Sequence, residues 1–353
     1  MQKYDYTVFI GRFQPFHAGH LSVVKEALRV SEKLIIVVGS KDKPRSPRNP
    51  FTFEERKKLI YSALDENQVG KVSIVGVHDY EYNLQKWIGE VQSVVFRESH
   101  KVWKAGPTKI ALIGHSKDHT SYYLNLFPNW DKVDVPSLKT IDGTSIRKIA
   151  HSGCYDFIGR IKALHEYEDA VMRNDWYFHL NDFYGHSFDG KSIKDQMTRH
   201  SEWIKNYKNR WGDGPFLTSD ALVVQSGHIL LIKRGPGDGE GLWALPGGFM
   251  NPHERLSDAA IRELREETRL KVPEAVLRGS VLREKIYDDP WRSERARLVT
   301  FATLFQLKDG PLPKVKGSDD ALEARWFSIS EFQGMRNVMF EDHYSMITDL
   351  LGL

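Results

Sequence analysis

Apolar, strand-like runs alternate with amphipathic stretches through roughly the first 150 residues. YTVFI (6–10) leads through a Gly/Pro loop into a helical pattern over Ala18–Val30. LIIVVGS (34–40) is apolar on both alternating faces, the pattern of a parallel strand covered on both sides. The basic, proline-rich KDKPRSPRNP (41–50) follows, then a helix predicted over 52–64, with Thr52 as N-cap and Glu55 three residues on. VSIVGV (72–77) and KIALIG (109–114) repeat the buried-strand pattern. This predicts an α/β fold, a Rossmann-like doubly wound parallel sheet, over 1–154. From 155 to 212 aromatic and charged residues mix and strand signals weaken, which reads as a helical linker. ALVVQSGHILLIKR (221–234) then predicts two strands around a turn at 225–228. A long helical pattern (257–270) and the strand-like 298–307 and 325–329 complete an α+β domain over 213–353.

Two domains also suit the length of 353 residues. With 50 Lys+Arg against 47 Asp+Glu, the net charge of +3 gives no global reason to expect nucleic acid or a membrane surface as partner. Attraction for anionic substrates must be local. The one cysteine, Cys154, excludes an intrachain disulfide and a cysteine-based zinc site within the chain. The opening MQKYDYTVFI lacks the apolar core of a signal peptide, and the most apolar run (34–39) is strand-sized, so a cytoplasmic protein is expected.

The loop GRFQPFHAGH (11–20) joins the first predicted strand to the first helix, at the sheet edge where open α/β folds bind ligands. His17 and His20 are three apart and share a face of the first helical turn. Free N–H groups at a helix start favour phosphate, and two imidazoles there can stabilise charge that grows during phosphoryl attack. Gly11 leaves room for a ligand to approach the backbone. Far along the chain lies DGTSIRK (142–148), and an arginine such as Arg147 at a helix start can bind phosphate in bidentate fashion. Taken singly, each histidine reads as a partly buried loop residue and Arg147 as a surface cation.

The second candidate is GFMNPHERLSDAAIRELREETRL (248–270). Glu263, Glu266 and Glu267 fall at helical i+3 and i+4 spacing and so project from one face. Clustered carboxylates are unfavourable as mere surface and suit hard divalent cations, here Mg²⁺ or Mn²⁺, which polarise a diphosphate and activate water. Arg262 can orient a neighbouring carboxylate through paired hydrogen bonds. A glutamate-rich solvated helix is the bland alternative.

The first pair of motifs resembles the HxGH nucleotidylyltransferase superfamily, with Thr144–Arg147 as its (S/T)xxR segment. VVGS, NPFTFEER (49–56), NLQKW (83–87) and IGHSKDHTSYYLNLFP (113–128) resemble the archaeal-type nicotinamide mononucleotide adenylyltransferases within it. That resemblance implies attack of the mononucleotide phosphate on the α-phosphate of ATP, giving NAD and pyrophosphate. By position it implies ATP phosphates on Arg12, His17, His20 and Arg147. Substrate contacts would come from Gly11, Phe13, Arg56, Thr144 and Ser145, with Trp87 near the nicotinamide and Asp118 near the nucleotide. Trp87 reads equally as packing, and Asp142 stands where that family often has Ser. The later segment matches the Nudix box G-x5-E-x7-R-E-U-x-E-E-x-G-U at Gly248, Glu254, Arg262, Glu263, Leu264, Glu266, Glu267 and Leu270, with Arg269 in place of its last Gly. LPGGF (245–249) precedes it as in other Nudix proteins. This implies a metal held by Glu263, Glu266, Glu267 and Gly248. YDDPWRSERARLVTF (287–301) and SDDALEARWF (318–327) resemble the ADP-ribose pyrophosphatase type, which forms AMP and ribose 5-phosphate.

The expectation is a bifunctional enzyme of NAD metabolism acting on ATP, nicotinamide mononucleotide and ADP-ribose. Homo-oligomer formation stays open. So do two alternatives: a regulator whose Nudix domain senses ADP-ribose or NAD without cleaving it, and an adenylyltransferase for another phosphate acceptor.

Overall fold

Strands too apolar to leave either face in water set the layout of the first half of the chain. The computed structural model describes residues 3–101, 107–115, 123–136, 142–152, 154, 156–167, 172–185, 187–188 and 191–353. In order come β1 (Tyr4–Gly11), α1 (Ala18–Val30), β2 (Ser31–Val38), α2 (Phe53–Ala63), α3 (Glu66–Val69), β3 (Val72–Gly76), α4 (Leu84–Ser99), β4 (Ile110–Gly114) and β5 (Asp131–Asp134). The strands form one parallel sheet in the order β3-β2-β1-β4-β5. Phe9, Leu34, Ile36 and Val38 face one core, while Val8, Ile10, Ile35 and Val37 face the other. That alternation is why these runs had to be covered on both sides. Winding reverses between β1 and β4, so a ligand crevice opens beyond their C-terminal ends at Gly11 and Gly114. The helix over Ala18–Val30 has its predicted limits, and Thr52 caps α2 in a box with Glu55.

Next come α5 (Gly143–Ala150), α6 (Phe157–Tyr167), α7 (Asn174–Gly185), a ribbon of β6 (Ser187–Phe188) and β7 (Lys191–Ser192), and α8 (Ile193–Trp211). Trp176, Leu180, Phe183 and Tyr184 of α7 belong to the same buried cluster as Phe51, Leu59 and Ile146. Phe51 lies 4.1 Å from Phe183 and 5.5 Å from Tyr184 between ring centroids. Contacts divide the chain inside α8, into Met1–Ser201 and Glu202–Leu353.

The second unit is built on a mixed sheet. Its elements are β8 (Phe216–Gln225), β9 (His228–Arg234), β10 (Trp243–Ala244), β11 (Gly247–Phe249), α9 (Leu256–Thr268), α10 (Glu274–Gly279), β12 (Val281–Tyr287), β13 (Leu298–Gln306), β14 (Ala321–Ser328), α11 (Ile329–Gln333) and α12 (His343–Leu351). Strand order is β10-β9-β8-β13-β12, with β11 on β8 and β14 on β9; only β8 and β13 run parallel. The predicted turn lies between β8 and β9, where Ser226 and Gly227 both take left-handed φ (48° and 70°), as a two-residue hairpin requires. Helix α9 buries Ala260, Ile261 and Leu264 against Ala221, Val223, Leu230 and Phe305. Its opposite edge carries the glutamates. No helix among the described residues is long and apolar enough to cross a membrane.

Candidate active sites

The loop after β1 is a compact aromatic nest around His20. Phe13 takes a left-handed φ of 51° and folds its ring back over Gly11, where a Cβ would lie 2.9 Å from the ring. The side of Gly11 on which a Cβ would stand is therefore filled by the Phe13 ring, which only a glycine there permits. Phe13 and Phe16 contact the His20 ring at 4.9 and 5.4 Å between centroids. His17, buried, sits at the N-cap, and its backbone N–H donates to Nδ1 of His20 at 3.2 Å. That bond makes Nδ1 an acceptor, so the proton of a neutral His20 ring sits on Nε2. The His17 and His20 rings lie 3.8 Å apart.

The distant Thr-Ser-Ile-Arg segment docks on this loop. Arg147 donates through Nη1 to the Gln14 carbonyl and through Nη2 to Thr144 Oγ1 at 3.1 Å. Asp142 caps α5 by accepting from the Ser145 N–H at 2.8 Å, with Ser145 Oγ donating to it at 3.2 Å. Burial works to raise the Asp142 carboxyl, but these bonds and nearby His17 hold it below the ordinary range. An aspartate is at least as good a cap as serine here, which explains the departure from the family pattern.

Other predicted residues fall differently. Arg56 is fully buried, donating to the carbonyls of Thr52, Arg12, Gly39 and Ser40 at 3.2, 2.8, 2.6 and 2.9 Å. Burial lowers it to about 10. It clamps the loops after β1 and β2 together and offers no face to a substrate. Arg12 itself is exposed at the crevice. Trp87, on α4, is half-buried with its ring 6.0 Å from Phe127, so packing accounts for one side of it. In the basic loop, Arg45 is pinned by both oxygens of Glu55 at 2.7 Å, and Lys43 pairs with Glu81. Asp118 lies outside the described residues.

In the second unit, Arg262 is the hub of the carboxylate face. It donates to both oxygens of Glu254 (3.0 and 2.6 Å), to Glu263 (2.7 Å), to Glu266 (3.0 Å) and to the Phe249 carbonyl (3.1 Å). Arg262 pulls Glu254 down to about 2. Glu267 is buried and accepts from the Gly247 N–H at 2.9 Å. Burial, with Glu263 as a like-charged neighbour, pushes it up to about 8. Glu263 is also raised, chiefly by burial, while Glu266 is about half exposed. β11 passes so close that a Cβ on Gly248 would lie 2.5 Å from Glu263 Oε1. Among the described residues, no three His, Cys, Asp or Glu side chains converge as a ready-made metal cage. The donor chemistry nevertheless fits a hard divalent cation: carboxylate oxygens on one helix face, two of them in surroundings that disfavour uncompensated negative charge. Arg269 takes the left-handed C-cap (φ 50°), so the loop keeps the geometry that the usual glycine supplies.

Several residues escaped sequence reasoning. Gln14 lies inside the GRFQPFHAGH loop, where nothing local marks it as a link to Phe51. Asp220, a lone acid in an apolar strand, is buried and pushed up to about 7 by that burial. Its place in the SDALVV run was the available signal. Arg292 and Asp342 form a buried two-bond ion pair at 3.0 Å, and Arg234 and Arg295 lie 4.0 and 5.2 Å from the Phe340 ring. Within the 287–301 segment, then, Arg292 and buried Tyr287 are held by α12 and the turn before it, while Trp291 stays exposed.

The parallel sheet with its histidine loop defines a nucleotidyltransferase-like domain, and the mixed sheet with its glutamate helix a Nudix domain. Family models agree: Cytidylyltransferase-like matches residues 8–116, and NUDIX domain matches 216–350. A nicotinamide/nicotinic acid mononucleotide adenylyltransferase of Acinetobacter baylyi is 42% identical over 161 residues, covering 43% of this chain and 79% of that protein. An ADP-ribose pyrophosphatase of Methanocaldococcus jannaschii is 31% identical over 137 residues, covering 39% of this chain and 73% of the other. The crystal structure of a bifunctional NMN adenylyltransferase/ADP ribose pyrophosphatase from Francisella tularensis, complexed with AMP and a manganese ion, covers 99% of both chains at 33% identity and TM-score 0.85. The chain belongs to this family of bifunctional NMN adenylyltransferase/ADP-ribose pyrophosphatases.

Proposed function

We propose that the chain joins ATP and nicotinamide mononucleotide into NAD at its first site and hydrolyses ADP-ribose to AMP and ribose 5-phosphate at its second. The observation that carries the first half is the docking of Arg147 on the carbonyl of Gln14, 133 residues away, which brings the two phosphate-binding segments to one loop. A phosphate oxygen of the mononucleotide attacks the α-phosphorus of ATP, and pyrophosphate leaves. Nε2–H of His20, the α1 N-terminus, Arg12 and Arg147 donate to oxygens whose charge grows during attack. Thr144 and Ser145 border the same phosphates, and Trp87 lines the nicotinamide end.

At the second site Glu263, Glu266 and Glu267, with the Gly248 carbonyl, hold magnesium or manganese, which supplies Lewis-acid polarisation of the diphosphate and an activated water. Arg262 orients Glu263 and Glu266 and keeps the metal-free face from self-repulsion. The helices over 157–185 are counted with the first catalytic unit, since Phe183 and Tyr184 pack on Phe51 beside its loop. A panel of phosphate acceptors offered with ATP tests the assignment. Rapid pyrophosphate release with nicotinamide mononucleotide or its acid is expected. Faster release with an unrelated phosphate, such as phosphopantetheine, would replace this acceptor with another.

A further inference from the structure

Gln14 occupies a position that neither phosphate chemistry nor core packing explains by itself. It is 5% exposed, yet its carboxamide is used up on one backbone unit of another loop: Nε2 donates to the Phe51 carbonyl at 2.9 Å, and Oε1 accepts from the Phe51 N–H at 3.0 Å. This paired contact matches both hydrogen-bonding groups of Phe51, as a neighbouring strand would. Meanwhile the Gln14 backbone carbonyl receives Nη1 of Arg147. One residue therefore joins three segments: the histidine loop, the basic loop ending at Phe51, and the N-terminus of α5.

The fit at the third joint is tight. A Cβ on Gly143 would lie 3.0 Å from the Gln14 carbonyl oxygen and 3.2 Å from Arg147 Nη1. Gly143 lets α5 come close enough for the guanidinium to reach Gln14, and Thr144 Oγ1 fixes its other arm. A flexible arginine bound at two points loses little further freedom when it meets a phosphate.

We infer that Gln14 is a positioning residue for adenylyl transfer: by tying the basic loop to the histidine loop, its side chain fixes the carbonyl that aims Arg147. The inference rests on the reading of Arg147 as a phosphate-binding group. It predicts a loss in kcat without a matching loss of affinity, because misaimed donors are felt most where transition-state charge develops.

The test uses the full chain, with thermal unfolding of the first unit as the check of its folding and ADP-ribose hydrolysis as the measure of intact protein in each preparation. Gln14→Leu keeps the volume and removes both bonds to Phe51. Its transferase kcat should fall about 10–100-fold, as for a misplacement of about 1 Å, with KM for ATP changed less than about threefold. Gly143→Ala deletes no functional group and favours the helix, yet it pushes α5 off the Gln14 carbonyl, so it should lower kcat in the same way. In an Arg147→Ala background, Gln14→Leu should add less than about threefold, because the group it aims is gone. Full kcat in both Gln14→Leu and Gly143→Ala would overturn the inference, as would a Gln14→Leu loss that multiplies undiminished with that of Arg147→Ala. Were Arg147→Ala itself as active as the parent, the phosphate-binding reading of Arg147 would fall first.

Discussion

Glu263, Glu266 and Glu267 stand within two turns of one helix, whereas Gln14, Arg56 and Arg147 meet from three separate segments of chain. The acidic face is encoded locally: a helical period and a buried Leu264 stripe suffice to put the carboxylates side by side. At the other site the donors depend on the assembled fold, since they are aimed by carbonyls far away in sequence and cannot be placed by spacing. The two also handle charge in opposite ways. α9 gathers like charges and holds them with one arginine, while the first loop aims a backbone donor at an imidazole nitrogen and spends Arg56 entirely on backbone. A site that concentrates one sign of charge needs a counter-ion to work; one built of preset donors needs its scaffold intact.

Metal removal should separate them most widely. Chelation is expected to cut ADP-ribose hydrolysis by at least about 10³-fold, with magnesium or manganese restoring it, as followed by AMP release. Activity that survives exhaustive chelation would mean the carboxylate face works without a counter-ion. The scaffold side of the contrast is probed by Arg56→Met. It leaves carbonyls of two loops unsatisfied in a buried place, which should cost the first unit about 3–5 kcal/mol while the hydrolase keeps its rate. A melting temperature within a degree or two of the parent would refute the clamp.

Acidification sharpens the same comparison. Burial pushes both His151 and His165 down to about 4, so each is neutral when folded and gains a proton more readily when unfolded. Their stabilisation is full above about pH 6.5 and is lost as the pH falls toward 4, about 2 kcal/mol for each at pH 5. In the second unit buried His343 acts in the same direction, but Asp220, raised to about 7 by burial, is relieved by the proton and offsets it. Between pH 7 and pH 5, transferase activity should therefore be lost at lower temperature than hydrolase activity. Equal shifts of both would count against this assignment. The smallest effect belongs to Arg269→Gly, which relieves a left-handed non-glycine residue and should stabilise the second unit by about 0.5–1 kcal/mol in thermal unfolding.

What was readable in advance follows the same division. The limits of α1, the Thr52 cap and the glutamate helix could be read because each is written in residues a turn or two apart. The covered strands were also legible, since Val, Ile and Leu on both faces leave no other place for them. Arg56 was read as a substrate contact because nothing local reveals that four carbonyls surround it. That the Phe13 ring packs against Gly11 was not legible, because it follows from one left-handed backbone angle. The aromatic stretch of α7 read as a linker because its partners, Phe51 and Ile146, lie far back in sequence. The Arg292–Asp342 pair stayed hidden for the same reason.

Separation of the two activities tests the central claim most directly. His20→Ala and Glu267→Gln should be purified as full chains and each assayed for NAD formation from ATP and nicotinamide mononucleotide and for AMP release from ADP-ribose with magnesium. The first should lose about 10²–10³-fold in NAD formation and keep its hydrolysis, and the second the reverse by about 10²–10⁴-fold. Loss of both activities in either folded variant, or of neither, would contradict two independent active sites.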